Sequence, residues 1–366
     1  MTKLHTLADL GQSIWYDYIR RAFITSGELQ SLVDQGVRGV TSNPSIFEKA
    51  IAGSADYDAD LRPLVDAGKS VDEIYEALVL EDIQAAADIL RPVFDGSNGA
   101  DGFVSLEVSP TLAHDTPHTI SEARRLHAAL SRPNVMIKVP ATAEGIPAIT
   151  ALIGDGISVN VTLIFSASQY EAVAEAYLAG LEQLAAKGGD LSRVASVASF
   201  FVSRVDSAVD AALEKIGEQA LQGKIAIANA KAAYARFRAL FSGERWARLA
   251  AQGARVQRPL WASTGTKNPS YPDTLYVDAL IGPDTVNTVP PATLQAFLDH
   301  GRVALTMEQG LAEALTQLAR LTALGIDLDA IARKLLDDGV GVFVKAFETL
   351  MASIAAKREK LLQPTR

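Results

Sequence analysis

Cysteine is absent from the 366 residues, which removes disulfides, thiolate nucleophiles and cysteine-ligated zinc together. Apolar runs of about 18 uninterrupted residues are absent too, and Met1 to Leu10 holds no basic segment followed by an apolar core, so neither membrane spanning nor export has support. There is no surplus of positive charge. The formal net charge is −9, which opposes binding to nucleic acid, because phosphate backbones need a basic face to displace their counterions. A phosphorylated small molecule would therefore need its positive charge supplied locally. Histidine is scarce, with only His5, His114, His118, His127 and His300. His114 and His118 have helical spacing but flank Pro117 and lack the glutamate of a zincin helix, so no metal site is expected. No G-x-G-x-x-G follows a strand; Gly339-Val340-Gly341 is read as opening an amphipathic helix without the third glycine, and no dinucleotide or other cofactor is expected.

What is present suits a globular chain. Apolar residues make up 48% and charged residues 21%, enough to bury a core without staples. Barrels of the α/β class commonly exceed about 250 residues around one core, so residues 1–366 are read as a single domain, soluble and cytoplasmic. Composition leaves open whether copies associate as a homo-oligomer.

The chain alternates short β-branched runs with longer Ala- and Leu-rich stretches, the pattern of a parallel α/β fold. Strands are expected at Val37–Thr41, Gly102–Val108, Asn134–Pro140, Ile157–Phe165, Val194–Val202, Arg258–Ser263 and Asp284–Val289. An eighth is sought at Ser13–Asp17, where Trp15-Tyr16-Asp17-Tyr18 fits strand and helix equally by propensity. Helical periodicity marks Val71–Leu90, Ile120–Leu130, Ala167–Ala186, Val205–Leu240, Ala304–Leu324 and Gly339–Lys360. Ser70 with Glu73 forms a capping signature, and Ser121-Glu122 is read as a helix start. The stretch from Val205 to Gly253 exceeds one barrel helix and is read as extra helices. The arginines from Arg236 to Arg248 are read as a solvated helix face. The expected architecture is a (β/α)8 barrel with additional helices.

Strand residues point alternately to opposite faces, so parity separates a barrel interior from the surface that meets the helices. Val159, Val161, Leu163 and Phe165 form an apolar set opposite Ser158, Asn160 and Thr162. Val104, Leu106 and Val108 likewise oppose Ser105, Glu107 and Ser109, and Val135, Ile137 and Val139 oppose a set containing Lys138. The polar members gather toward the C-terminal strand ends, where barrel enzymes place their sites. A lysine removed from water loses the hydration of its ammonium form, and the free amine becomes a nucleophile toward carbonyls. Lys138 fits that description, with Glu107 on the preceding strand as an acid/base and Asn160 and Thr162 as partners for sugar hydroxyls.

Four segments carry a resemblance that runs almost end to end. These are Gly39-Val40-Thr41-Ser42-Asn43-Pro44-Ser45, Val135 to Thr142, Asn160 to Ser166, and Ser199-Phe200-Phe201-Val202-Ser203-Arg204. In that order and spacing the chain resembles the bacterial transaldolases. The resemblance implies a Schiff base on Lys138, Glu107 as a proton shuttle through a water held by Thr162, and Asp17 as the acid/base that breaks the carbon–carbon bond. Asn43, Asn160 and Ser199 would hold the dihydroxyacetone unit, and Arg204 and Lys267 the phosphate. Lys267 stands where many relatives carry arginine and would act as a point charge without the bidentate fork. The segment around Asp17 looks like one subgroup of the family only. The implied reaction moves dihydroxyacetone from sedoheptulose 7-phosphate to glyceraldehyde 3-phosphate. Rival readings are an aldolase that releases free dihydroxyacetone and a sugar-phosphate-binding barrel without turnover.

Overall fold

The ambiguous segment around Trp15 is a strand, because its neighbours demand one. In the computed structural model, which describes residues 2–363, β1 (Gln12–Tyr16) runs beside β8 (Thr285–Val289) through five paired positions, from Gln12 with Thr285 to Tyr16 with Val289. Its other edge meets β2 (Gly39–Thr41) at the single pair Tyr16 with Val40. Trp15 is fully buried, and its Nε1 donates to Asp101 Oδ1 at 2.7 Å. Gly39 makes room for that ring: a Cβ there would lie 2.5 Å from it.

The remaining strands are β3 (Phe103–Glu107), β4 (Val135–Pro140), β5 (Val159–Ile164), β6 (Ser196–Phe201) and β7 (Arg258–Ala262). All eight are parallel and close in sequence order into a barrel, so the expected (β/α)8 architecture is the one found. The strands fall at the expected places, trimmed by one or two residues at several ends.

Alternation holds up to Thr162 and then breaks. Leu163 has φ +62°, the β5–β6 register shifts between Val161 and Ile164, and the apolar set expected to continue through Leu163 and Phe165 is interrupted by this bulge. Leu163 meets Gly339, where a Cβ would lie 2.9 Å from Leu163 Cδ2. Gly339 does not open a helix. It sits inside the helix Leu328–Leu362, capped by Asp327, and its missing side chain lets that helix approach the bulged strand. The helix is long and apolar enough to cross a membrane by length and composition, yet Leu336, Val340, Phe343, Leu350 and Ile354 are buried, as befits packing on the rest of the chain.

Helix boundaries moved for local reasons. The capping box of Ser70 and Glu73 opens Val71–Gly96 as expected. The helix expected to start near Ser121 begins earlier, at Thr116, capped by Asp115, and Pro117 is tolerated in the first turn, where its missing N–H has no helical partner to lose. The stretch after Val205 divides into Ser203–Lys215, Ile225–Leu240 and Glu244–Ala250. Gly145–Gly154 gave no amphipathic signal because it is apolar nearly all round; it is buried against Ala167–Ala186, where a Cβ on Gly180 would lie 2.6 Å from Ile153 Cβ.

Candidate active site

Strand register gathers the polar set. Glu107 pairs with Lys138 and Lys138 with Asn160, so three adjacent strands point these side chains into the barrel at one level. Lys138 Nζ lies 3.6 Å from Glu107 Oε2 and donates to the Ser42 carbonyl at 3.1 Å. Asn160 Nδ2 donates to Ser105 Oγ at 3.0 Å, and its Oδ1 accepts from Ser199 Oγ at 2.7 Å, which fixes the amide orientation from both sides. Thr162 is fully buried, and neither its Oγ1 nor Glu107 Oε2 has a hydrogen-bond partner among the described residues. Two such orphaned oxygens in a barrel interior suit a site that handles protons.

On the other side of the mouth, Asp17 follows β1 directly, its backbone N–H held by the Val289 carbonyl at 2.9 Å. Its Oδ1 accepts from Thr41 Oγ1 at 2.7 Å, and Thr41 in turn lies 2.6 Å from Thr288 Oγ1. Burial pushes the Asp17 carboxyl above the usual carboxylate range, against the opposing pull of Lys138. Asn43 caps the short helix Pro44–Phe47 through Oδ1, which leaves its amide N–H groups for other acceptors.

A cavity of about 450 Å³ opens at this end of the strands. Asp17, Asn43, Lys138, Ser199, Arg204 and Lys267 line it, whereas Glu107, Asn160 and Thr162 are buried and do not line it, Glu107 lying against Lys138 and Asn160 bonded to Ser199. Six of the nine residues singled out in the sequence thus line one mouth, and the other three are buried on β3 and β5. Arg204 lies over the Phe201 ring at 5.5 Å, and burial lowers its pKa. Arg204, Lys267 and Lys49 all line the cavity, and none forms an ion pair among the described residues, which gives the acidic chain a locally positive pocket. Ser263 has φ +54° at the end of β7, and its hydroxyl meets Ser203 Oγ at 2.9 Å, joining the start of the helix that bears Arg204 to the loop that bears Lys267.

Thr41, Thr288, Ser105, Lys49 and Phe343 also belong to this surface and its supports but were not singled out beforehand. Thr41 lay inside a quoted segment and shares the inward parity, so the same alternation could have found it. No signal marks Phe343, which arrives on a distant helix. Among the described residues there is no group of three His, Asp or Glu placed to hold a metal ion.

Glu107 is 7% exposed, and burial pushes its carboxyl from 4.5 up to about 7 despite the Lys138 ammonium. Folding therefore favours its neutral form. That contribution is fully present below the unfolded value and is lost as pH rises through about 7. Between about pH 5 and 8 the wild type should lose roughly 2–3 kcal/mol relative to Glu107→Gln, at about 1.4 kcal/mol per pKa unit. Urea unfolding of both proteins across that range measures the difference; parallel pH dependences would contradict it.

Fold and mouth together define a (β/α)8 barrel with a buried amine and carboxyl pair at the C-terminal end of its strands. The family model for transaldolase/fructose-6-phosphate aldolase matches residues 14–354. A relative from Saccharopolyspora erythraea, named transaldolase, is 52% identical over 99% of this chain and 98% of its own length. Transaldolase 2 of Nostoc sp. is 49% identical over 98% of both chains, and transaldolase 1 of Streptomyces avermitilis 52% over 96% of this chain and 94% of its own. Among solved structures, 2,3-dimethylmalate lyase superposes with a TM-score of 0.27 at 10% identity over 93% of this chain and 92% of its own, a likeness too slight to bear on fold or function. The chain belongs to the transaldolase/fructose-6-phosphate aldolase family of enzymes, and within it stands with the transaldolases.

Proposed function

We propose that the enzyme transfers dihydroxyacetone from sedoheptulose 7-phosphate to glyceraldehyde 3-phosphate through a Schiff base on Lys138, giving erythrose 4-phosphate and fructose 6-phosphate. The observation that carries this reading is the Lys138 amine, buried 3.6 Å from Glu107 and facing a cavity lined by Asp17, Arg204 and Lys267. The Lys138 amine adds to the ketose C2 carbonyl, and loss of water from the carbinolamine leaves the imine. Glu107 sits where it can deliver and recover those protons through a water held by Thr162. Asp17 takes the proton of the C4 hydroxyl, the C3–C4 bond breaks, and its electron pair moves into the imine to form an enamine while the aldose leaves. The enamine carbon then attacks the incoming aldehyde, Asp17 returns its proton, and hydrolysis frees Lys138. Asn43, Asn160 and Ser199 hold the three-carbon fragment; Arg204 and Lys267 hold the phosphate.

Such chemistry fits the non-oxidative pentose phosphate pathway and a cytoplasmic enzyme, and eight strands around one core support reading residues 1–366 as one domain. To test it, the protein is incubated with fructose 6-phosphate and borohydride, and the Lys138 peptide should gain the mass of reduced dihydroxyacetone. Free dihydroxyacetone appearing without an aldehyde acceptor, at a rate matching transfer, would point to an aldolase instead. Absence of any adduct would leave a binding barrel without turnover.

A further inference from the structure

The helix Ser203–Lys215 does more than present Arg204. Two and six residues on, it carries Asp206 and Asp210, each accepting a phenol from the segment that follows β7. Tyr276 donates to Asp206 Oδ2 at 2.8 Å and Tyr271 to Asp210 Oδ2 at 2.7 Å. Lys267 lies four residues before Tyr271, in a stretch without regular secondary structure. A second cavity of about 390 Å³ opens on the far side of Lys267, lined by Asp206, Asp210, Tyr271 and Tyr276. Asp210 is doubly engaged, since its Oδ1 also accepts from the Gly223 N–H at 3.0 Å. The Tyr271 ring presses on Gly223, where a Cβ would meet it at 2.8 Å and φ is +68°. Both carboxylates are thus occupied by phenols, and neither forms an ion pair with Lys267 among the described residues.

A lysine grips phosphate as a point charge on a flexible stem, so its contribution depends on where the backbone holds it. We propose that Tyr271 and Asp210 are positioning residues for the phosphate end: their hydrogen bond fastens the Lys267 loop to the helix of Arg204 and sets the spacing of the two cations. This rests on the transaldolase reading above. It adds a device that neither the strand pattern nor the nine proposed site residues contain.

Tyr271→Phe keeps the ring over Gly223 and removes only the hydroxyl. The KM for glyceraldehyde 3-phosphate should rise roughly tenfold, the scale of a lost hydrogen bond to a charged group, with kcat within about twofold. With unphosphorylated glyceraldehyde as acceptor, kcat/KM should not change. In a Lys267→Ala background, Tyr271→Phe should add nothing, because the two substitutions then act on one interaction. Equal losses with both acceptors, no change with either, or an undiminished effect in the Lys267→Ala background would overturn the positioning role. Failure of the wild type itself to transfer dihydroxyacetone would instead fell the transaldolase reading beneath it.

Discussion

Lys138→Ala is expected to yield no borohydride-trapped adduct and to lower transfer by roughly 10⁴-fold or more, the scale seen when a covalent nucleophile is removed from a concerted site. The fold should survive. Among the described residues Lys138 makes one hydrogen bond, to the Ser42 carbonyl, and the residue is 4% exposed, so its removal relieves a desolvated charge, which offsets the packing lost with its stem beside the cavity. Glu107 would lose the neighbour that opposes its burial and become still more firmly neutral. Circular dichroism and a thermal melt of both proteins separate loss of chemistry from loss of structure. An adduct of equal yield in wild type and Lys138→Ala would refute the assignment, since the amine would then have to come from elsewhere.

Asp17→Asn separates imine formation from bond cleavage. The amide keeps an oxygen to accept from Thr41 and keeps the volume, but it cannot take the proton of the C4 hydroxyl. Transfer should fall by about 10²–10⁴-fold, the range that positioned acid/base groups contribute. The trapped species should also change. Wild type with fructose 6-phosphate should retain reduced dihydroxyacetone, whereas Asp17→Asn should retain the whole hexose phosphate, because the ketose adds to Lys138 but does not split. A variant that still traps the three-carbon fragment at the wild-type rate would remove Asp17 from the role and direct attention to another base at the mouth.

The legible parts of this site were those the backbone dictates. Alternation along β3, β4 and β5 placed Glu107, Lys138 and Asn160 on one face, because the side chains of a strand have no other choice of side. The same rule failed at Leu163, since one residue with positive φ resets the count and nothing in Val-Thr-Leu-Ile announces it. The roles of Asp17, Arg204 and Lys267 came from resemblance, and the structure brings all three to the mouth. Thr288 beneath Asp17 and Tyr271 behind Lys267 were not legible, because each meets its partner through a tertiary contact between segments far apart in the chain. The helix at Thr116 starts before the expected Ser121 because Asp115 supplies its cap, and the helix Gly145–Gly154 carries no legible stripe because its sequence is apolar on the outer face as well as on the buried one.

The lopsided pairing of β1, one position with β2 against five with β8, bears on how the protein is made. A chain emerging from the ribosome holds the segment around Asp17 long before the strand that seats it, which is completed only at Val289. Until then the growing sheet has two raw edges, and Asp17, the proposed acid/base, has no fixed address. Ring closure and assembly of the mouth are therefore one late event, so the chemistry proposed for Lys138 and Asp17 has to wait until the circle is shut, although the lysine strand is made much earlier.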